Sequence, residues 1–292
     1  MLSKIIKYEF KSTGRYFILI YAGLIVITLL NTLVLPWVVS GAGSKNAAVF
    51  SSLEVFLNIL SGIAVFLYVI GILATIVMTY VIIVIRYYRM LGDEGYLWFT
   101  LPVKTNSHIL GKLFAAFTWN AATFVIVTAS IFALVLSAAG VKDIADFWYE
   151  ITTSGISIYG WLALILLTLI ISSVSSILQF YAAISIGPHI IKNRVGGSVL
   201  AYIIINISGQ IIYSVAMFVV MIPISRYGID TALDFTNDNF GSPAYSALAG
   251  GLGGIDYVGY WILGSAAVIS ALIAAACYFL SHRFINKKLN LA

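Results

Sequence analysis

Residues 55–85 read VFLNILSGIAVFLYVIGILATIVMTYVIIVI, without one Lys, Arg, Asp or Glu. At 1.5 Å per residue, a helix over this run is longer than the roughly 30 Å hydrocarbon core of a bilayer. Five more windows share the property: 16–44, 113–141, 151–191, 195–225 and 257–281. They predict an all-α, polytopic membrane protein with six transmembrane helices, at about 16–39, 56–85, 108–139, 158–188, 197–224 and 257–281. Composition points the same way. The 292 residues are 61% hydrophobic and 9% charged, where soluble domains carry about 25% charge, and mean hydropathy is +1.03. The first window, 16–44, far exceeds the roughly 7–15 residues of a signal-peptide core. It is therefore expected to remain as a span.

The charges orient the spans. Thirteen of the sixteen Lys and Arg residues fall in four places: the N-terminal segment, the stretch after span two with the start of span three, the stretch after span four, and the tail. Lys45, Lys142 and Arg226 lie one in each alternate connection. Cytoplasmic loops carry the basic excess, so both termini and residues 86–107 and 189–194 are expected inside. The acids run oppositely, with only Glu9, Asp93 and Glu94 of eleven on the inner side. This clustering at span ends accounts for the net charge of +5 without nucleic acid. Within 1–15, Leu2, Ile5, Ile6 and Phe10 share one helical face, with Lys4, Lys7 and Lys11 opposite. That pattern suits an amphipathic helix in the bilayer interface. The expected layout is a single transmembrane domain over 1–292. Its parts are the interfacial helix 1–15, spans one and two over 16–85, a loop at 86–107, spans three to six over 108–281, and a basic tail at 282–292.

Much chemistry is missing. No G-x-x-x-x-G-K-[ST] phosphate loop and no H-E-x-x-H occurs. The lone Cys277 cannot form an intrachain disulfide and is expected to pack in its apolar run. His108, His189 and His282 sit near span ends, as interfacial polar residues do, and no metal site is expected. Asp230, Asp234 and Asp238 would make a carboxylate stripe on a helix. Like charges at that spacing oppose a helix, and Gly228 and Asn237 resemble loop residues, so 225–256 reads as a solvated acidic outer loop. Its ALAGGLGG stretch suits a hinge or a re-entrant piece. Shorter outer loops are expected at 40–54 and 140–157.

A charge at a span centre costs roughly 2.5–3.5 kcal/mol on insertion scales, and these span centres have none. They carry Asn31, Asn58, Asn120, Gln179, Asn206 and Gln210, together with SSVSS at 172–176. Such groups either join helices or line a path for an amphipathic substrate. Ala267, Ala271 and Ala275 make a small-residue ridge expected to pack span six.

The loop RYYRMLGDEGYLWFTLPVKTNS, 86–107, has a pattern of its own. Gly92 and Gly95 permit a sharp turn. Asp93 and Glu94 suit the N-terminus of a short helix, and Pro102 ends it. Tyr96, Leu97, Trp98, Phe99 and Leu101 make that helix rich in large apolar side chains. Its residues can lie among lipid headgroups or dock a partner.

The stretch GDEGYLWFTLPV, followed by ILGKLFAAFTWN, resembles the permease subunits of type-2 ABC transporters of Gram-positive bacteria, exporters driven by ATP. KYEFKSTGR near the N-terminus and the six-span topology are similar too. The likeness covers the chain in outline and is specific over about 86–120. It implies that Gly92, Asp93, Glu94, Gly95, Tyr96, Leu97, Trp98, Phe99, Leu101 and Pro102 form a coupling helix docked on a separate cytoplasmic ABC ATPase subunit. It implies two permeases, as a homodimer or a pair of different chains, with two ATPases in the bacterial plasma membrane. The N-terminal amphipathic helix would pack nearby, and 225–256 would hold short outer helices. The chain itself would need no cofactor, since ATP and magnesium would sit on the partner, and it would not be an enzyme. An amphipathic peptide, drug or lipid-like molecule is the expected cargo, because the spans offer apolar and amide groups but no fixed charge. A stand-alone channel or facilitator, a membrane enzyme and a non-transporting scaffold are the alternatives.

Overall fold

The computed structural model describes residues 2–41, 51–91, 105–153, 158–191, 193–237 and 244–289. Every element among them is a helix: α1 Leu2–Gly41, α2 Ser51–Leu91, α3 Thr105–Thr153, α4 Ile158–Ile190, α5 Arg194–Asn237 and α6 Ala244–Leu289. Each of the six is long and apolar enough to cross a membrane. Most span side chains point outward and are apolar, among them Leu19, Phe66, Val125, Leu166, Ile207 and Leu272. Such a surface is stable only where lipid is the solvent, and helices suit lipid because they satisfy their own backbone.

The helices run past the boundaries that the charge-free windows predict. Residues 2–15 are the first turns of α1, continuous with the span. Lys7 and Lys11 are exposed as expected, but Glu9 and Thr13 are buried. Residues 86–91 extend α2. The expected outer loop at 140–157 is helical as far as Thr153, with a kink at Gly140 (φ 84°, ψ 165°). Only glycine adopts that conformation without strain, and it separates two helices: the span ends near residue 139 as expected, and a second helix fills most of the expected loop. Residues 225–237 continue α5, and α6 begins at Ala244. The backbone at Gly228, Asp230, Asp234 and Asn237 is therefore helical, as is ALAGGLGG. The repulsion expected among the aspartates costs only a few tenths of a kcal/mol per pair, too little to end a helix carried out of a long span.

The chain divides into two compact units, Met1–Phe147 and Trp148–Ala292. In the first, α1, α2 and most of α3 pack together. Buried α1 residues Phe17, Tyr21, Leu24, Thr28 and Asn31 alternate spacings of three and four, the repeat that keeps one face of a helix against its partners. On α3, Ile109, Ala116, Thr123 and Ser130 recur every seven residues. In the second unit α4 packs on both α5 and α6. Its buried face carries Ile177, Leu178, Tyr181, Ile184 and Ser185. Asn193 caps α5, its Oδ1 accepting from the Val195 amide at 3.2 Å. Gly187 and Gly197 face each other where α4 meets the start of α5, and a Cβ on either would run into the other segment's backbone.

On α6 the buried ridge is Ala267, Ala274, Cys277, Ser281 and Ile285, while Ala271 and Ala275 of the expected ridge are exposed. A strict four-residue step drifts around a helix of 3.6 residues per turn, whereas mixed steps of three and four stay on one face. Cys277 is buried and free, in the packing role that its apolar run predicts.

Candidate functional site

Two polar regions stand out, one inside each unit. The first begins at the N-terminal end of α1. Lys112 Nζ on α3 lies 2.6 Å from Glu9 Oε1 on α1, and both side chains are only 7% exposed. The same ammonium makes a long contact of 3.5 Å to the Arg86 carbonyl near the end of α2. The Arg86 guanidinium reaches the Ser12 hydroxyl. Three helices are thus joined by charge at the end where α2 finishes and α3 starts.

From there a line of hydroxyl groups runs along the core of the unit. Trp119 Nε1 donates to Thr13 Oγ1 at 2.9 Å, and its ring stacks on Phe17 at 4.3 Å. Tyr21 OH lies 2.9 Å from Thr123 Oγ1, which is 3.0 Å from Thr79 Oγ1. Ser130 Oγ sits 2.7 Å from both Tyr68 OH and Thr28 Oγ1, and Thr28 in turn donates to the Leu24 carbonyl at 2.7 Å. One ordering satisfies every donor: Tyr68 gives to Ser130, Ser130 to Thr28, Thr28 to the carbonyl. Ser137 closes the line by donating to the Thr32 carbonyl at 2.9 Å. From Thr13 to Thr32 the rise is about 28 Å at 1.5 Å per residue. The seam therefore spans nearly a full hydrocarbon layer.

Two of the amides expected to line a path belong to this seam. Asn31 is buried and donates to its own helix at Ile27. Asn120 donates to Tyr80 OH at 3.2 Å and ties α3 to α2. Both have a hydrogen-bond partner within the first unit. The side chain of Asn58 lies outside the described residues.

The other three expected residues come together in the second unit. Gln179 on α4 and Asn206 and Gln210 on α5 line one cavity of about 340 Å³. Ser172, Ser175 and Ser176 of the serine run line its α4 wall, and Ser270 adds a hydroxyl from α6. Tyr213 and Ser214 extend the α5 wall. Gln210 Nε2 donates to Asn206 Oδ1 at 2.9 Å, across one turn of α5. Among the described residues no Lys, Arg, His, Asp or Glu lines the cavity. Ser172 and Ser176 return their hydroxyls to their own helix, at Leu169 and Ser172. Ser175, only 4% exposed, makes no hydrogen bond among the described residues, and neither do Gln179, Ser214 and Ser270. The cavity therefore keeps hydrogen-bonding capacity that the described residues do not use.

The sequence marked these residues only as span amides and serines that could join helices or line a path; that they meet around one cavity is visible only in the structure. The seam of the first unit was not singled out in the sequence, because Thr and Ser in a membrane helix can bond their own carbonyls. Its available signal was the three-four spacing of Thr13, Phe17, Tyr21, Leu24, Thr28 and Asn31.

No family model matches the chain, and no curated protein or solved structure matches it either. Gly92, Asp93, Glu94, Gly95, Tyr96, Leu97, Trp98, Phe99, Leu101 and Pro102, expected to form the coupling helix, lie outside the described residues, as does Asp238. Among the described residues no group of His, Cys, Asp or Glu could hold a metal ion.

Proposed function

We propose that the chain is the membrane-spanning permease subunit of an ATP-binding-cassette exporter. In this reading both termini and residues 86–107 face the cytoplasm of a bacterial cell. Residues 92–102 dock on a separate ATPase subunit, and two permease chains assemble with two ATPases. The cargo is an amphipathic peptide, drug or lipid-like molecule.

The observation that carries the proposal is the buried Glu9–Lys112 pair, with the Arg86 carbonyl beside it. Residues 92–104 connect α2 to α3, and the helix turns flanking them are tied to each other and to α1. A segment that receives force from a partner needs such a rigid mount, since a loose one would absorb the motion locally. Breaking a buried pair by removing one partner typically costs about 3–5 kcal/mol. The sequence G-D-E-G-Y-L-W-F-T-L-P between the mounts supports a docking role, because aromatic side chains anchor interfaces.

The test is affinity purification of the tagged chain from gently solubilised native membranes. An ATP-hydrolysing subunit with a phosphate-binding loop is expected to accompany it, and hydrolysis by the reconstituted complex should persist when a protonophore collapses the proton gradient. Recovery of the chain without any ATPase would favour a facilitator or a scaffold. Turnover that stops with the gradient would favour a secondary transporter.

A further inference from the structure

The cavity between α4, α5 and α6 has unused hydrogen-bonding groups and no fixed charge, and this combination restricts what it can hold. We infer that it is a binding site for the uncharged amide group of an amphiphile. The inference rests on the reading of this cavity as part of a substrate path, but binding to it needs neither ATP nor a partner subunit.

Charge is excluded first. A carboxylate or ammonium entering the cavity would find no counter-charge among the described lining residues. Purely apolar groups are also disfavoured, because Ser175 and Gln179 would stay unpaired behind them. The fitting group both donates and accepts. Gln179 offers two N–H donors and a carbonyl, and Gln210 retains one N–H and its own carbonyl. The Gln210–Asn206 contact, at 2.9 Å, already shows one carboxamide binding another at this wall. A ligand amide placed between Gln210 and Gln179 would extend that chain across the cavity, donating to one side-chain carbonyl and accepting from the opposite N–H. A ligand reaching the site from the bilayer needs an apolar tail, and the outward side chains of α5 beside it, Ile203, Ile207 and Ile211, are all apolar and exposed. Water is the competing occupant, since the volume of about 340 Å³ far exceeds the roughly 10–15 Å³ that one water needs.

The test places a reporter thiol in the cavity wall. Gly209 lines the cavity, and a Cβ added there meets nothing within 4 Å, so Gly209→Cys in a Cys277→Ala background should fold. In nanodiscs this thiol should react with N-ethylmaleimide. Dodecanamide should slow the reaction severalfold, while dodecylammonium and dodecanoate, with the same tail, should not. Gln179→Leu should abolish the protection. Ser175→Ala, a smaller change, should weaken it, which keeps the test informative if Gln179→Leu fails to fold. Equal protection by all three probes, or by dodecanol as well as dodecanamide, would show that the tail alone is bound and would overturn the inference. So would absence of protection, an unreactive thiol, or protection that survives Gln179→Leu. Loss of ATPase association with protection intact would overturn the exporter reading and leave this site standing.

Discussion

The two units use the same kind of residue to opposite ends. In the first, Thr, Ser, Tyr and Asn side chains pair with one another or with backbone carbonyls from Thr13 to Thr32, and the seam is closed. In the second, Gln179, Ser175, Ser214 and Ser270 surround a cavity and make no hydrogen bond among the described residues. Polar residues in membrane helices are read either as glue or as a path. What separates the roles is whether each group's capacity is met within the protein. A satisfied seam holds helices in one register, and unmet capacity around a space invites a ligand.

The comparison breaks most visibly at the ion pair. Lys112→Met leaves the Glu9 carboxylate buried and alone, and is expected to destabilise the first unit by about 3–5 kcal/mol. Adding Glu9→Leu should restore most of that loss, since replacing both members of a buried pair by apolar groups is often neutral or stabilising. Thermal unfolding in detergent measures both. A double variant no more stable than the single one would mean that the pair does more than neutralise itself.

A smaller and sharper contrast sets one hydroxyl of the seam against one amide of the cavity. Ser130→Ala strips partners from both Thr28 and Tyr68, and should cost about 1–3 kcal/mol. Gln179→Leu removes no protein hydrogen bond and should change stability by no more than about 0.5 kcal/mol. If the order were reversed, the closed seam would not be structural glue and the cavity would not be open.

The six spans were legible because the charge-free windows are so long that nothing else could be built from them. Their ends were not. Lys142 and the acids after it suggested a loop beyond residue 141; the span does break at Gly140, but a further helix follows as far as Thr153. Glu9 was hidden for a related reason. Flanked by Lys4, Lys7 and Lys11, it resembled one more surface charge, and its partner Lys112 lies 103 residues away. Gln179, Asn206 and Gln210 were legible because an amide in a span is costly enough to need a purpose. Asn31 and Asn120 followed the same rule, and each has a hydrogen-bond partner within the first unit. The residue type therefore flags a purpose, and the partners decide which one.

The central claim is that the first unit receives force from an ATPase through residues 92–102, while the second holds the cargo. Tyr96→Ala with Phe99→Ala removes two aromatic anchors that together would bury some hundreds of Å² on a partner, roughly 150–250 Å² each. The decisive measurement is ATPase association and ATP hydrolysis by the purified complex carrying this double substitution. The account predicts normal membrane insertion and unchanged amide protection at Gly209→Cys, with ATPase association weakened and little hydrolysis stimulated by the amide probe. Association and stimulated hydrolysis at the level of the unaltered protein would contradict it, and would return Tyr96 and Phe99 to the lipid headgroups.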